Sequence, residues 1–168
     1  RAKPYNMGTL YWQFNDCWPS ISWSSIDYYG NWKALHYAVK SSFEDILIST
    51  AQSEDPLFVY IVNDSSNGYE CNLLFDHIDY YGNHLENEIF STKFYADSSA
   101  LLMAISLNEF LLKDGIENRS YLDIKMMIGD EVKSRKIHHF VKTKHMYLPK
   151  ANITHKIYKD SLGYNLEI

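Results

Sequence analysis

Only two residues of the 168 are cysteine, Cys17 and Cys71. That excludes a disulfide-rich scaffold and a four-cysteine zinc site. Both read as free, mostly buried thiols, since an unpaired Cys behaves as a small hydrophobe. Basic charge is also short: 16 Lys and Arg stand against 21 Asp and Glu, a net charge of −5. Without a basic face, nucleic acid is excluded as a partner. Long apolar runs are missing. The uncharged stretch over 5–15 is too short and too polar to span a membrane. No basic region followed by an apolar one marks a signal peptide. Charged residues at 22% sit near the globular average, which argues against wholesale disorder. The chain does not begin with Met, and Arg1-Ala2-Lys3-Pro4 reads like the middle of a longer protein.

Several chemistries lack their residues. There is no Cys-x-x-Cys, and no His-x-x-x-His on a plausible helix. His138 and His139 are adjacent, so on a strand they point to opposite faces. The seven histidines are therefore expected to be scattered, and no metal or other cofactor is expected. No Gly-x-Ser-x-Gly elbow accompanies the serines, and no Gly-rich phosphate loop follows a strand. Asn63-Asp64-Ser65, Asn118-Arg119-Ser120 and Asn152-Ile153-Thr154 match the glycosylation pattern, which matters only in a eukaryotic secretory protein.

What the chain has is an uneven store of aromatics. All four Trp, at 12, 18, 23 and 32, and 11 of the 26 aromatics lie in the first 43 residues. Such a break points to more than one structural context. Residues 8–14 form a short apolar run rich in β-formers and read as a buried strand. Residues 15–31 read as loop. Trp32, Leu35, His36, Val39 and Phe43 then recur at helical spacing, which predicts an amphipathic helix. One strand and one helix cannot bury both faces of the strand, so the segment looks like the end of something larger.

From Asp45 the period changes to two. Strands are predicted at 46–51, 57–62, 70–78, 86–95, 100–106, 121–128 and 132–141, with turn clusters between them. Seven short strands over about 100 residues are the signature of an immunoglobulin-like β-sandwich. Residues 107–112 are the exception, expected as a short helical turn. Residues 144–150 read as a linker. Strands at 153–158 and 164–168 then make a hairpin, marginal alone in water, that looks like the start of another β-domain. Ile26-Asp27-Tyr28-Tyr29-Gly30-Asn31 recurs as Ile78-Asp79-Tyr80-Tyr81-Gly82-Asn83. With unlike flanks, this reads as one turn solution used twice, with Gly free to take positive φ.

Trp is costly to leave in a loop unless it packs or binds. Indole faces beside amide and carboxylate side chains suit a sugar, whose CH face lies on the ring while its hydroxyls take paired donors and acceptors. The competing reading is that Trp12, Trp18 and Trp23 anchor a core.

Met7-Gly8-Thr9-Leu10-Tyr11-Trp12-Gln13-Phe14-Asn15-Asp16-Cys17-Trp18-Pro19, followed by Ser22-Trp23-Ser24-Ser25-Ile26-Asp27-Tyr28-Tyr29-Gly30 and Trp32-Lys33-Ala34-Leu35-His36-Tyr37, resembles the end of the catalytic barrel of the β-mannosidases of glycoside hydrolase family 2. The likeness is close over 7–43 and looser beyond. It implies a mainly β chain in which 1–43 supply the last strand and helix of a (β/α)8 barrel, 44–143 an immunoglobulin-like sandwich, and 144–168 a linker and the first hairpin of a further β-domain. It implies an exo-acting retaining glycosidase that hydrolyses terminal β-mannosyl residues. Barrel active sites lie at the C-terminal strand ends, so the resemblance gives Trp12, Asn15, Asp16 and Trp18 to the substrate site. Trp12 would be a platform for the sugar, and Asn15 and Asp16 either sugar contacts or supports behind them. A β-mannoside or oligosaccharide is the implied partner, and the sandwich would pack against preceding domains. The compartment implied is periplasmic or secreted for a bacterial source, lysosomal for an animal one. Two other readings stand beside this: a sandwich that itself binds carbohydrate, and a fragment of a sibling β-galactosidase or β-glucuronidase. No Trp follows Trp32, which counts against the first.

Family members use two Glu about 5 Å apart as acid/base and nucleophile. The first 43 residues hold Asp16 and Asp27 and no Glu, so no catalytic residue is assigned in this chain. The chain by itself is expected to leave a chromogenic β-mannoside unhydrolysed. Turnover abolished by changing Asp16 or Asp27 would mean that these carboxylates carry the chemistry after all.

Overall fold

The structure is a computed structural model that describes residues 5–6, 8–52, 55–107 and 116–167. Helix α1 (Ala34–Ser42) is followed by strands β1 (Ile46–Ala51), β2 (Leu57–Asn63), β3 (Tyr69–Asp79), β4 (His84–Phe94), β5 (Ser98–Ile105), β6 (Ser120–Ile128) and β7 (Glu131–His139). All seven strands fall on the segments that alternation predicts. They pair antiparallel into two sheets, β1-β2-β5 and β4-β3-β6-β7. The sheets enclose one core, giving an immunoglobulin-like sandwich.

Period-two patterning produces this core directly. Leu57, Val59 and Ile61 of β2 face Leu73 and Phe75 of β3 and Leu122, Ile124 and Met126 of β6, and none exceeds 1% exposure. Each such side chain contributes about 1.5–3 kcal/mol by leaving water. The pairing of β3 with β4 shifts register between His77 and Ile78, where Leu85 of β4 is the extra, unpaired residue. His77 and Ile78 point to opposite faces of β3 and are both buried.

The sandwich is closed along one side by side chains. Edge strand β1 meets edge strand β7, where the Ile48 amide donates to Ser134 Oγ at 3.1 Å. Thr50 Oγ1 and His138 Nδ1 are 3.1 Å apart, and His138 Nε2 lies 2.7 Å from Gln52 Oε1.

The duplicated hexapeptide folds twice into the same turn. Asp27 Oδ1 accepts from the amides of Tyr29 and Asn31 at 2.9 and 2.8 Å, and Asp79 Oδ1 from those of Tyr81 and Asn83 at 2.9 Å each. Asn31 and Asn83 close the ring through their side-chain amides at 2.9 and 2.8 Å. Gly30 and Gly82 take φ of 86° and 87°, a region that strains any residue with a Cβ. The hydrogen bonds from Asn31 and Asn83 hold the two carboxyls below the ordinary Asp range.

Several expectations need correction. Residues 8–14 form no strand: the segment is irregular, tied at its end where the Ser25 and Ile26 amides donate to the Gln13 and Phe14 carbonyls, and single bridges follow from Asn15 to Ile26 and from Ile26 to Trp32. A strand needs neighbours to take its backbone groups along its length, and the arm at 25–26 takes only those of its last two residues. The predicted helix is shorter than 32–43, and no residue of it is buried. Its apolar face is partly exposed, with Trp32, Leu35 and Phe43 at 48%, 38% and 51% exposure, and the Trp32 ring packs on His36 and Tyr37. Cys17 is exposed, whereas Cys71 is buried in the core. Asn63 is fully buried and donates to the carbonyls of Asn67 and Tyr95, so it is no glycan acceptor in this fold. Of the helical turn expected over 107–112, only Leu107 lies among the described residues. The final hairpin is present as β8 (Lys156–Lys159) and β9 (Tyr164–Glu167), after an irregular stretch over 146–155. Among the described residues no helix is long and apolar enough to cross a membrane.

Phe75 sits at the centre of the core at 1% exposure. Phe75→Ala is expected to cost about 3–5 kcal/mol in urea denaturation followed by far-UV circular dichroism. Ile137→Ala, at a position 42% exposed, should shift the same midpoint by less than about 0.5 kcal/mol. Equal effects would mean that the core is not where stability resides.

Candidate functional site

The aromatic segment is held together by polar groups, not by a core. Ser25, fully buried, is the hub. Its hydroxyl donates to the Phe14 carbonyl at 2.7 Å and lies 3.2 Å from Tyr11 Oη and 3.3 Å from His36 Nδ1. Its amide donates to the Gln13 carbonyl at 2.9 Å, and its carbonyl accepts from the Lys33 amide at 2.9 Å. One residue thus joins the incoming segment, the returning arm and the start of α1.

Asp16 is the second tie. It is 5% exposed, and its Oδ1 accepts from Ser22 Oγ at 2.5 Å. Its Oδ2 accepts from Ser24 Oγ at 2.7 Å and from Lys33 Nζ at 2.9 Å. Lys33 Nζ also donates to Ser24 Oγ at 2.7 Å. A buried carboxylate is costly unless paired and hydrogen-bonded, and here it is both. The hydrogen bond from Lys33, then those from Ser22 and Ser24, hold its carboxyl down at about 2, against desolvation.

Trp12, Trp18 and Trp23 stand outside this polar frame at 75%, 68% and 70% exposure. Asn15 is exposed between them and Asp16, its side-chain amide donating to the Asp16 carbonyl at 3.4 Å. Of the four residues assigned to a sugar site from the sequence, Trp12, Asn15 and Trp18 are therefore open to solvent. Asp16 is turned inward, its two oxygens taken by the loop and Lys33. Sequence reasoning missed Ser22, Ser24, Ser25 and Lys33. A signal existed for the first two: Ser22 and Ser24 flank Trp23 at i and i+2, and in an extended segment such residues share a side.

Other ionisable groups have structural partners. Burial pushes Asp123 upward, but Arg135, bidentate at 2.8 Å to each oxygen, and Lys125 outweigh it and hold the carboxyl below its ordinary range. Burial lowers His77, which bonds Ser120 Oγ at 2.8 Å. A polar pocket of about 500 Å³ lies on the sandwich, lined by Glu70, Asn72, Ser91, Lys93 and Met127 among others. No aromatic residue lines it. Among the described residues no cluster of three His, Cys, Asp or Glu has metal-site geometry.

The model of the mannosidase Ig/CBM-like domain matches residues 55–145. A β-mannosidase of Capra hircus is 42% identical over 72 residues, covering 43% of this chain and 8% of that protein. One of Bos taurus is 47% identical over 59 residues, covering 35% of this chain and 7% of that protein. The crystal structure of a β-D-mannosidase from Dictyoglomus thermophilum superposes with a TM-score of 0.71 at 25% identity, covering 89% of this chain and 18% of that one. The chain thus spans less than a fifth of the length of each relative.

The low Asp16 value has a direct consequence for acid stability. Its folded carboxyl titrates near 2 against an ordinary value of 3.8. Its stabilisation is therefore complete above the unfolded value and is lost as pH falls through the folded one. The near-UV circular dichroism of the tryptophans is expected to hold down to pH 4 and to fade between about 4 and 2. Asp16→Asn should remove that transition. A transition of the same size and midpoint in the variant would show that Asp16 does not hold the loop.

Proposed function

This chain belongs to the mannosidase Ig/CBM-like domain family, and from that premise we propose that it is the C-terminal portion of a retaining exo-glycosidase that removes terminal β-mannosyl residues. In the full-length parent residues 1–43 then supply the last strand and helix of the catalytic barrel, with 8–14 becoming a strand only beside the preceding barrel strands. Residues 44–143 are the supporting sandwich, and 144–168 a linker and the first hairpin of a further β-domain. The observation that carries the reading is the aromatic rim. Trp12 and Trp18 keep their indoles in water while the same segment buries Asp16, Ser24 and Ser25. A segment stabilised by aromatic packing would do the reverse. Flat apolar faces beside the Asn15 amide are what a pyranose recognises.

In this reading Trp12 is the platform beneath the sugar at the cleaved bond. Asn15 and Trp18 line the rim, with Asp16 behind them. The two catalytic Glu come from the rest of the barrel, and cleavage proceeds through a covalent glycosyl-enzyme. The partly exposed apolar face of α1, with Trp32 and Leu35, packs on neighbouring barrel elements. The mannoside is favoured over other β-glycosides by the likeness to the goat and cattle β-mannosidases.

The test is Trp12→Ala and Trp32→Ala in the full-length parent. Loss of a stacking face that contacts the transition state should lower kcat/KM on an aryl β-mannoside about ten- to hundredfold, or about 1–3 kcal/mol. Trp12→Phe should recover part of it. Trp32→Ala should lower Tm yet leave kcat/KM of the folded enzyme within about threefold. Full kcat/KM in folded Trp12→Ala would overturn the sugar platform.

A further inference from the structure

The resemblance leaves Asp16 either a sugar contact or a support behind one; the geometry pairs it with its own loop. Residues 17–23 leave Asp16 and return through Ser22 and Ser24, whose hydroxyls bond opposite oxygens of the same carboxylate. Lys33, which immediately precedes α1, reaches Oδ2 at 2.9 Å and Ser24 Oγ at 2.7 Å. The Asp16 amide donates to the Ile26 carbonyl at 3.1 Å, so the backbone is tied at the same point. One carboxylate therefore joins the start of the lobe, its return and the helix. The lobe itself is open: Trp18, Ile21 and Trp23 are 68%, 106% and 70% exposed, and none of them belongs to the buried core among the described residues.

We propose that Asp16 is a positioning residue, which with Lys33 latches the lobe so that the indoles of Trp18 and Trp23 stand preformed as contact faces for the sugar. The sugar rests on the glycosidase reading above; the latch rests on the hydrogen bonds alone. The physical reason for such a device is conformational. An exposed lobe without a core samples many arrangements, and apparent affinity falls by the fraction that is competent to bind. A charge-assisted network supplies the order that packing does not. Its loss should act on binding, because the latch touches neither the reacting carbon nor its leaving group.

The experiment compares the full-length parent with its Asp16→Asn, Lys33→Met and double variants, using p-nitrophenyl β-D-mannoside and peptide-resolved hydrogen exchange. Each single variant is expected to raise KM about tenfold while kcat stays within about threefold. The double variant should be no worse than the worse single one, since both break one unit. Exchange in peptides covering 17–24 should quicken at least about tenfold, while peptides from β2, β3 and β6 stay unchanged. Unchanged KM in folded single variants overturns the proposal, as does loss of kcat at constant KM, which would put Asp16 at the reacting sugar. Absence of turnover by the wild-type parent overturns the glycosidase reading and the sugar role with it. Hydrogen exchange then still decides the latch, and unaltered exchange over 17–24 removes it. Where Asp16→Asn does not fold, Ser22→Ala and Ser24→Ala each delete one hydroxyl of the same network and are read by the same two measurements.

Discussion

A strand in water needs a partner on each face and each edge, and this chain meets that demand in one half and not in the other. In the sandwich, β2 and β3 are each paired on both sides, and their inward residues meet across a single layer of Leu, Val, Ile, Phe and Met. Everything else about residues 46–139 follows from keeping that layer dry. The seam between β1 and β7 seals its flank.

The aromatic segment has no such layer. Tyr11, Phe14, His36 and Lys33 converge on Ser25 and Asp16, so its order is electrostatic and directional. Hydrogen bonds of this kind are modest individually, but a buried group left without one costs more than the bond returns. The network is therefore close to all-or-none. The sandwich buries its own apolar residues, whereas the first segment turns its aromatics outward.

The sandwich was legible because its signal is local. Alternation in Phe58-Val59-Tyr60-Ile61 or Leu122-Asp123-Ile124-Lys125 assigns faces without knowledge of any distant residue. The repeated Asp-Tyr-Tyr-Gly-Asn turn was legible for the same reason, since all its bonds lie within five residues. The segment at 8–14 misled because its composition suits a strand while strand formation depends on neighbours that composition does not report. Asp16 was legible as part of the aromatic loop, but the direction of its carboxylate was not. That direction is set by Lys33, 17 positions away, and by two serines that look like ordinary loop residues.

The seam between β1 and β7 has a mechanical corollary. Ile48 is tied to Ser134 and Thr50 to His138, so the partner numbers climb together and the two strands run in the same direction along the seam. The chain enters the sandwich through β1 and leaves it through β7. Tension applied at entry and exit therefore pulls the two strands lengthwise past one another. The cross-links are loaded in shear together, instead of being peeled apart one at a time. A body wired this way transmits force as a stiff strut, and the segments it separates keep their spacing under load.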